Sequence, residues 1–145
     1  MLVQDILNQK GREIYSVEPD NTVYNAIAKM ADLNIGALLV MQDDKLEGII
    51  SERDYRNKVI LKGRKSKTTY VREIMVSHLF CVKPKDTVNH CMVMMTDKKI
   101  RHLPVLDNDK VIGVISIGDV VKSIIYKQEK EIDSLRGYIS GGYPG

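Results

Sequence analysis

The chain has 145 residues, 43% hydrophobic content and a net charge of +3, which predict one compact domain or two half-sized units sharing a core. No apolar run approaches the roughly 18 residues of a membrane span, and the N-terminus lacks a signal-peptide pattern. The two cysteines, Cys81 and Cys91, argue against a disulfide framework or a metal site. We therefore expect an intracellular, cytoplasmic protein without a membrane segment.

The first half of the chain alternates strand and helix signals. Val3–Leu7 suits a short helix or an extended segment, and turn or capping residues bound each later element. The predicted elements are a strand over residues 13–17, a helix from Thr22 to Asn34, strands over 37–41 and 46–51, and a helix from Glu52 to about residue 61. This order is β-α-β-β-α.

The second half repeats the first. A shift of 65 positions aligns Tyr15–Ile60 with Phe80–Ile125 without a gap, and Val3–Leu7 is echoed by Val71–Met75. Such self-similarity predicts two copies of one structural unit. The second copy predicts a strand over 79–82, a helix over 87–98, strands over 103–106 and 111–116, and a helix from Ile117. The predicted boundaries are 1–62 for the first unit, 63–70 for a basic linker, 71–126 for the second unit, and 127–145 for a helical extension with a flexible tail.

Each copy contains the phrase Gly, two β-branched residues, Ser, two variable residues and Asp, which begins at Gly48 and again at Gly113. The phrase predicts a strand that ends at a serine N-cap and turns into a helix. Backbone N–H groups at such a turn suit a phosphate, and the aspartate can accept two ribose hydroxyls. The alternative is that Ser and Asp only form a helix capping box.

These motifs resemble the CBS domain pair, or Bateman module. The resemblance covers residues 1–126 and is sharpened by the phrases at Asn34–Val40, Ser51–Tyr55 and Ile100–Val105. It implies an α+β fold of two tandem β-α-β-β-α CBS units packed as a pseudo-twofold module, here with a C-terminal helical extension. It also implies a regulatory role. The residues themselves predict a non-catalytic protein, because no nucleophile–base pair, Walker lysine or metal cluster is visible.

The family resemblance implies a regulatory adenosine ligand, such as AMP, ADP, ATP, NAD or S-adenosylmethionine, held in clefts between the units without a metal. The aspartates would hold the ribose and the serines would lie near the phosphate. The implied ligand-binding residues are Ser51, Arg53, Asp54, Ser116, Asp119, Arg101, His102, Gly36, Ala37, Tyr15 and Phe80. Tyr15 and Phe80 would border the base. Many members have Thr where this chain has Val76, which removes one expected hydrogen bond.

The two copies differ in charge around the motif. Arg53 is a fork-shaped cation suited to phosphate, whereas its counterpart is Gly118. Arg101 and His102 in turn replace a Gly-Ala pair of the first copy. We therefore predict one good anionic nucleotide site, on which Arg53, Arg101 and His102 converge, and one weaker site.

Two other functions compete with the sensor hypothesis. Residues 56–72 carry seven basic side chains and no acid, which could attract nucleic acid or could simply be a solvated linker. The chain could also be a ligand-free structural dimerisation module. Ile125, Gln128, Ile132, Leu135 and Ile139 follow a 3-4-3-4 spacing, which indicates a helix that packs either on its own domain or against a partner copy. The family implies a homodimer that signals to an unknown regulated protein.

Overall fold

A computed structural model describes residues 1–139, so the predicted tail at 141–145 lies outside the described part of the chain. The fold is of the mixed α+β type, as predicted. The elements are α1 (Val3–Lys10), β1 (Ser16–Val17), α2 (Val23–Leu33), β2 (Ala37–Gln42), β3 (Lys45–Ser51), α3 (Glu52–Lys58), α4 (Val71–Ile74), α5 (Val88–Lys98), β4 (His102–Asp107), β5 (Lys110–Ser116) and α6 (Ile117–Ile139), with 3-10 turns at Ile60–Lys62 and Ser66–Thr68.

The chain folds into two compact units, each of which combines one repeat with the helix that precedes the other repeat. One unit, here called the Asp54 unit, is Glu13–Phe80. The other, the Asp119 unit, combines Met1–Arg12 with the chain from Cys81 onward. The helix that precedes each repeat therefore packs with the other repeat: α1 belongs to the Asp119 unit and α4 to the Asp54 unit.

The Asp54 unit contains a three-stranded sheet in the order β1-β2-β3, with β1 parallel to β2 and β3 antiparallel to it. Thr22 caps α2 by accepting a hydrogen bond from the Asn25 N–H, and Asn34 ends the helix in the left-handed conformation, both as predicted. Helices α2 and α4 and the sheet share one apolar core. Its buried members are Val17, Val23, Ala26, Met30, Leu38, Val40, Ile50, Val59, Val71 and Ile74.

Within the described residues, the Asp119 unit has two strands, β4 and β5, which are paired antiparallel. The predicted strand over 79–82 is reduced to a single parallel bridge between Val82 and Val105. In the other unit, the Leu39 N–H donates to the Tyr15 carbonyl at 3.1 Å, whereas the equivalent of Leu39 is Pro104, which has no N–H. Loss of this donor explains why the strand is shorter in the second copy.

The glycine of each motif lets a leading helix or segment approach the sheet closely. A Cβ on Gly48 would lie 2.7 Å from the carbonyl oxygen of Val76, which follows α4. A Cβ on Gly113 would lie 2.7 Å from Cδ2 of Leu7 in α1. Glycine is therefore needed at both positions for packing, not for a special backbone conformation.

We expect Gly48→Ala to destabilise the fold more than Gly113→Ala, although both positions are equivalent in the repeat. The added methyl group at residue 48 meets backbone, which cannot rotate away, whereas at residue 113 it meets the end of a leucine side chain. Overpacking of this kind typically lowers the free energy of unfolding by about 1–3 kcal/mol. Urea unfolding of both variants measures the difference, and equal losses would contradict this explanation.

Helix α6 continues beyond the repeat to Ile139, as the apolar spacing predicts. The side chains of Ile125, Ile132 and Leu135 along the predicted seam are 48%, 46% and 60% exposed. No helix within residues 1–139 is both long and apolar enough to cross a membrane.

Candidate functional site

In the Asp54 unit, the motif forms a capping box at the junction of β3 and α3. The Ser51 N–H and Ser51 Oγ both donate to Oδ2 of Asp54, at 2.9 and 3.0 Å. Ser51 Oγ in turn accepts a hydrogen bond from the Asp54 N–H at 3.2 Å. Asp54 is 7% exposed. The capping role of the motif is therefore present here.

The Asp119 unit repeats this arrangement at the junction of β5 and α6. The Ser116 N–H donates to Oδ2 of Asp119 at 2.8 Å, and the Asp119 N–H donates to Ser116 Oγ at 3.2 Å. The Asp119 side chain is 22% exposed, against 10% for Asp54. Asp119 is thus the more accessible of the two motif carboxylates.

The neighbouring strand brings further predicted site residues to each motif. Ala37 is paired with Ser51, and the Gly36 carbonyl accepts a hydrogen bond from Glu52 at 3.0 Å. In the Asp119 unit, His102 is paired with Ser116, and the Arg101 carbonyl accepts a hydrogen bond from Ile117 at 2.8 Å. The fold therefore assembles two equivalent clusters, one small and apolar beside Ser51, the other basic beside Ser116.

The first-turn amides are less available than the sequence suggested. In α3, the N–H of Glu52 is bonded to the Gly36 carbonyl and that of Asp54 to Ser51 Oγ. In α6, the N–H groups of Ile117 and Asp119 are bonded in the same way. A phosphate at these turns would therefore depend on side-chain cations more than on backbone donors.

Both motif carboxylates are paired with a lysine that is not among the predicted site residues. Lys58 Nζ lies 3.1 Å from Oδ1 of Asp54 and donates to the Ile74 carbonyl at 2.9 Å. Lys10 Nζ lies 2.7 Å from Oδ2 of Asp119 and donates to the Val114 carbonyl at 2.8 Å. The i,i+4 spacing of Asp54 and Lys58 on one helix was a readable signal. The pairing of Lys10 with Asp119 had no such signal, because the two residues are far apart in sequence.

The lysine contact also sets the ionisation of Asp119. Burial raises the pKa of this carboxyl, but the hydrogen bonds from Lys10 and the Ser116 backbone outweigh burial and leave the pKa below its ordinary value. Asp119 is therefore ionised at neutral pH and can act as a hydrogen-bond acceptor for hydroxyl groups. Its contribution to stability is present above the pKa of the unfolded chain and is lost as the pH falls through the lower folded pKa.

The predicted base-bordering residues both lie in the Asp54 unit. Tyr15 is 41% exposed beside β1, and its carbonyl accepts the Leu39 N–H. Phe80, although part of the second repeat, is the last residue of this unit, and its ring meets that of His78 edge-on at 5.6 Å between centroids. Arg53 is an exposed residue in the first turn of α3. Val76 is 40% exposed and bridges Ile49 through its backbone.

The basic segment 56–72 is partly neutralised by acids elsewhere in the Asp54 unit. Lys58 pairs with Asp54, Arg64 with Glu73 at 2.6 Å, and Arg72 with Asp20. Lys67 lies over the Tyr24 ring, 4.9 Å from its centroid. Because at least three of its seven cations have acidic partners, the segment presents a weaker field to nucleic acid than its sequence implies.

The two cysteine thiols have raised pKa values, and the described part of the chain contains no metal-binding cluster. Burial raises the pKa of the Cys81 thiol, and burial together with Asp86 raises that of Cys91 to about 11, so the Cys91 thiol is protonated at neutral pH. No group of three His, Cys, Asp or Glu side chains within residues 1–139 is arranged to hold a metal ion.

Comparison with known proteins identifies the family of this fold. The CBS domain family matches residues 3–60 and 71–126. The CBS domain-containing protein CBSX3, mitochondrial, of Arabidopsis thaliana is 40% identical over 97% of this chain and 73% of its own length. The solved structure of a CBS-domain protein from Burkholderia ambifaria is 50% identical, covers 88% of this chain and 96% of that chain, and has a TM-score of 0.86.

A more distant structure shares the fold with a ligand bound. The CBS domain pair of protein MJ0100, solved in complex with 5′-methylthioadenosine and S-adenosyl-L-methionine, is 24% identical, covers 88% of this chain and 98% of that chain, and has a TM-score of 0.77. Two matched CBS domains within one short chain, together with these small CBS-pair structures, establish the identity of the fold. The chain belongs to the CBS domain family and is a CBS pair with a C-terminal helix.

Proposed function

We propose that this CBS pair is a non-catalytic sensor of an adenosine nucleotide, AMP, ADP, ATP or NAD, that controls a protein partner. The observation that carries the proposal is the pair of Ser and Asp motifs, each at a strand-to-helix junction beside a second strand end. The MJ0100 pair, which shares the fold, holds two adenosine compounds. An ionised carboxylate at such a junction offers the acceptors that a ribose diol needs.

The Asp119 unit is the better candidate for an anionic ligand. It places Arg101 and His102 beside Ser116, and its motif carboxylate is the more exposed one. The Asp54 unit offers Gly36 and Ala37 at the same strand position, and Lys58 of α3 is the cation paired with its motif carboxylate. We infer one stronger site for a nucleotide phosphate and one weaker site.

Calorimetric titration with AMP, ATP, NAD and S-adenosylmethionine tests this function, with an RNA oligomer as a control ligand. We expect saturable binding of one adenosine ligand at fewer sites than there are Ser and Asp motifs. Binding of RNA alone, with a steep salt dependence, would move the function to residues 56–72. If none of these ligands binds, the sensor proposal is wrong and a scaffold role would replace it.

We also propose that the chain acts as a homodimer in the cytoplasm, although the plant relative carries the word mitochondrial in its name. The support for a dimer is the seam on α6, whose apolar side chains at 125, 132 and 135 are about half exposed. A coiled-coil-like seam of this spacing is typically covered by a partner helix.

Light scattering at tens of micromolar should therefore give a dimer mass for the parent chain. The double variant Ile132→Glu and Leu135→Glu should shift the mass towards the monomer, because it places charges in the apolar seam. Lys127→Glu introduces the same side chain outside the seam and should leave the dimer intact. A monomer mass for the parent chain would exclude the dimer.

A further inference from the structure

Lys10 connects the motif carboxylate of the Asp119 unit to the helix that precedes the first repeat. It is the last residue of α1, and its ammonium group bridges Oδ2 of Asp119 and the carbonyl of Val114 in β5. The contact joins residues 109 positions apart in sequence. Lys10 is therefore placed at the junction that the nucleotide proposal assigns to ribose.

The other unit meets the same electrostatic need in a different way. Asp54 takes its cation from Lys58, one turn further along the same helix. The equivalent of Lys58 in the second repeat is Ser123, a buried and uncharged residue. Lys10 thus takes over a charge that the second copy of the motif lacks on its own helix.

The geometry of Asp119 makes Lys10 a competitor of a bound diol. Oδ2 already accepts two hydrogen bonds, one from the Ser116 N–H and one from Lys10. Each carboxylate oxygen has two lone pairs, so a ribose that engages both oxygens must displace one of these donors. The Ser116 amide is fixed in the capping box, whereas the lysine ends a flexible side chain that is 37% exposed. Lys10 is therefore the donor that a diol would displace more easily.

Displacement of Lys10 would remove a contact that holds the C-terminal end of α1. Val3, Ile6 and Leu7 are buried and hold the first turns of the helix in the Asp119 unit. The last turn is held by Lys10 and by the Gly11 N–H, which donates to the Leu7 carbonyl at 2.9 Å. The chain crosses into the Asp54 unit directly after Arg12.

We propose that Lys10 is a latch: the ribose diol of a ligand at Asp119 displaces Lys10 and releases the last turn of α1. This inference rests on the proposed nucleotide-binding function. The latch links occupancy of one motif to the segment through which the chain passes from one unit to the other, without disturbing the buried start of α1. It also lowers the affinity for the diol, because binding must first break the lysine contact.

Titration of the full chain and of Lys10→Met with adenosine and 2′,3′-dideoxyadenosine tests the latch. Methionine keeps the length of the side chain but removes the ammonium group. We expect Lys10→Met to bind adenosine about two- to fivefold more tightly, as loss of a partly exposed ion pair implies, and to leave dideoxyadenosine unaffected. Lys58→Met, which removes the lysine from the other motif, is the matched control and should not release α1.

Hydrogen exchange of the Gly11 amide, which donates to the Leu7 carbonyl, supplies the structural readout. Adenosine should speed its exchange in the parent chain, whereas in Lys10→Met exchange should already be fast and insensitive to adenosine. If adenosine binds but its affinity and the exchange of the Gly11 amide do not depend on Lys10, the latch is wrong and the nucleotide site stands. If adenosine and the nucleotides fail to bind either chain, both proposals are overturned.

Discussion

Replacing Leu7 by Ala should destabilise the second repeat, although Leu7 directly precedes the first repeat in sequence. Leu7 is 1% exposed and packs against Gly113 in β5. Truncation of a buried leucine lowers the free energy of unfolding by about 2–5 kcal/mol. Hydrogen exchange in the native state should therefore show loss of protection first in residues 81–126.

Ile74→Ala is the matched control in the other direction. Ile74 precedes the second repeat but belongs to the core of the Asp54 unit, where it is 1% exposed. This variant should lower protection in residues 13–60 first. If each variant instead weakens the repeat that it directly precedes, the exchange of leading helices between repeats is refuted.

Asp119→Asn should weaken AMP binding about 10- to 100-fold, since hydrogen bonds to a charged acceptor contribute about 1.5–3 kcal/mol. Asparagine keeps one side-chain oxygen for the Ser116 N–H, so the capping box is largely retained. It removes the charge that attracts both Lys10 and the ribose hydroxyls. Calorimetric titration with AMP measures the loss.

Asp5→Asn separates ligand binding from helix capping in this comparison. Asp5 lies in the first turn of α1 in the same unit, where its Oδ2 accepts the Leu2 N–H at 2.8 Å. The Asp5→Asn variant should lose about as much free energy of unfolding as Asp119→Asn, but its affinity for AMP should not change. Parent-like AMP binding by Asp119→Asn would show that the motif aspartate is only a helix cap.

Much of the fold was predictable because the repeat, the caps and the turns are local signals. Thr22, Asn34 and the Gly-to-Asp phrases mark element ends through backbone chemistry that acts within a few residues. The shortened strand at 79–82 was not predicted, because its cause, Pro104, lies on the neighbouring strand. The strand propensity of residues 79–82 does not depend on whether the neighbouring strand has an N–H to donate.

The site was predictable only where its contacts follow the repeat. The pairing of Ser51 with Ala37 and of Ser116 with His102 follows from two adjacent antiparallel strands. Lys10 could not be found in this way, because an amphipathic helix reveals which face it buries but not against which sheet. The exchange of α1 and α4 between repeats is a tertiary choice that periodicity does not encode.

Because the leading helices are exchanged, the sequence repeat and the folding unit are not the same stretch of chain. A chain with a single repeat and its preceding helix could form this core only if two copies exchanged their helices, as in a domain-swapped dimer. Tandem duplication places both repeats on one polypeptide, so the exchange of helices no longer depends on protein concentration. The contacts of Leu7 with Gly113 and of Met75 with Gly48 are then contacts within one chain that in a swapped dimer would join two chains.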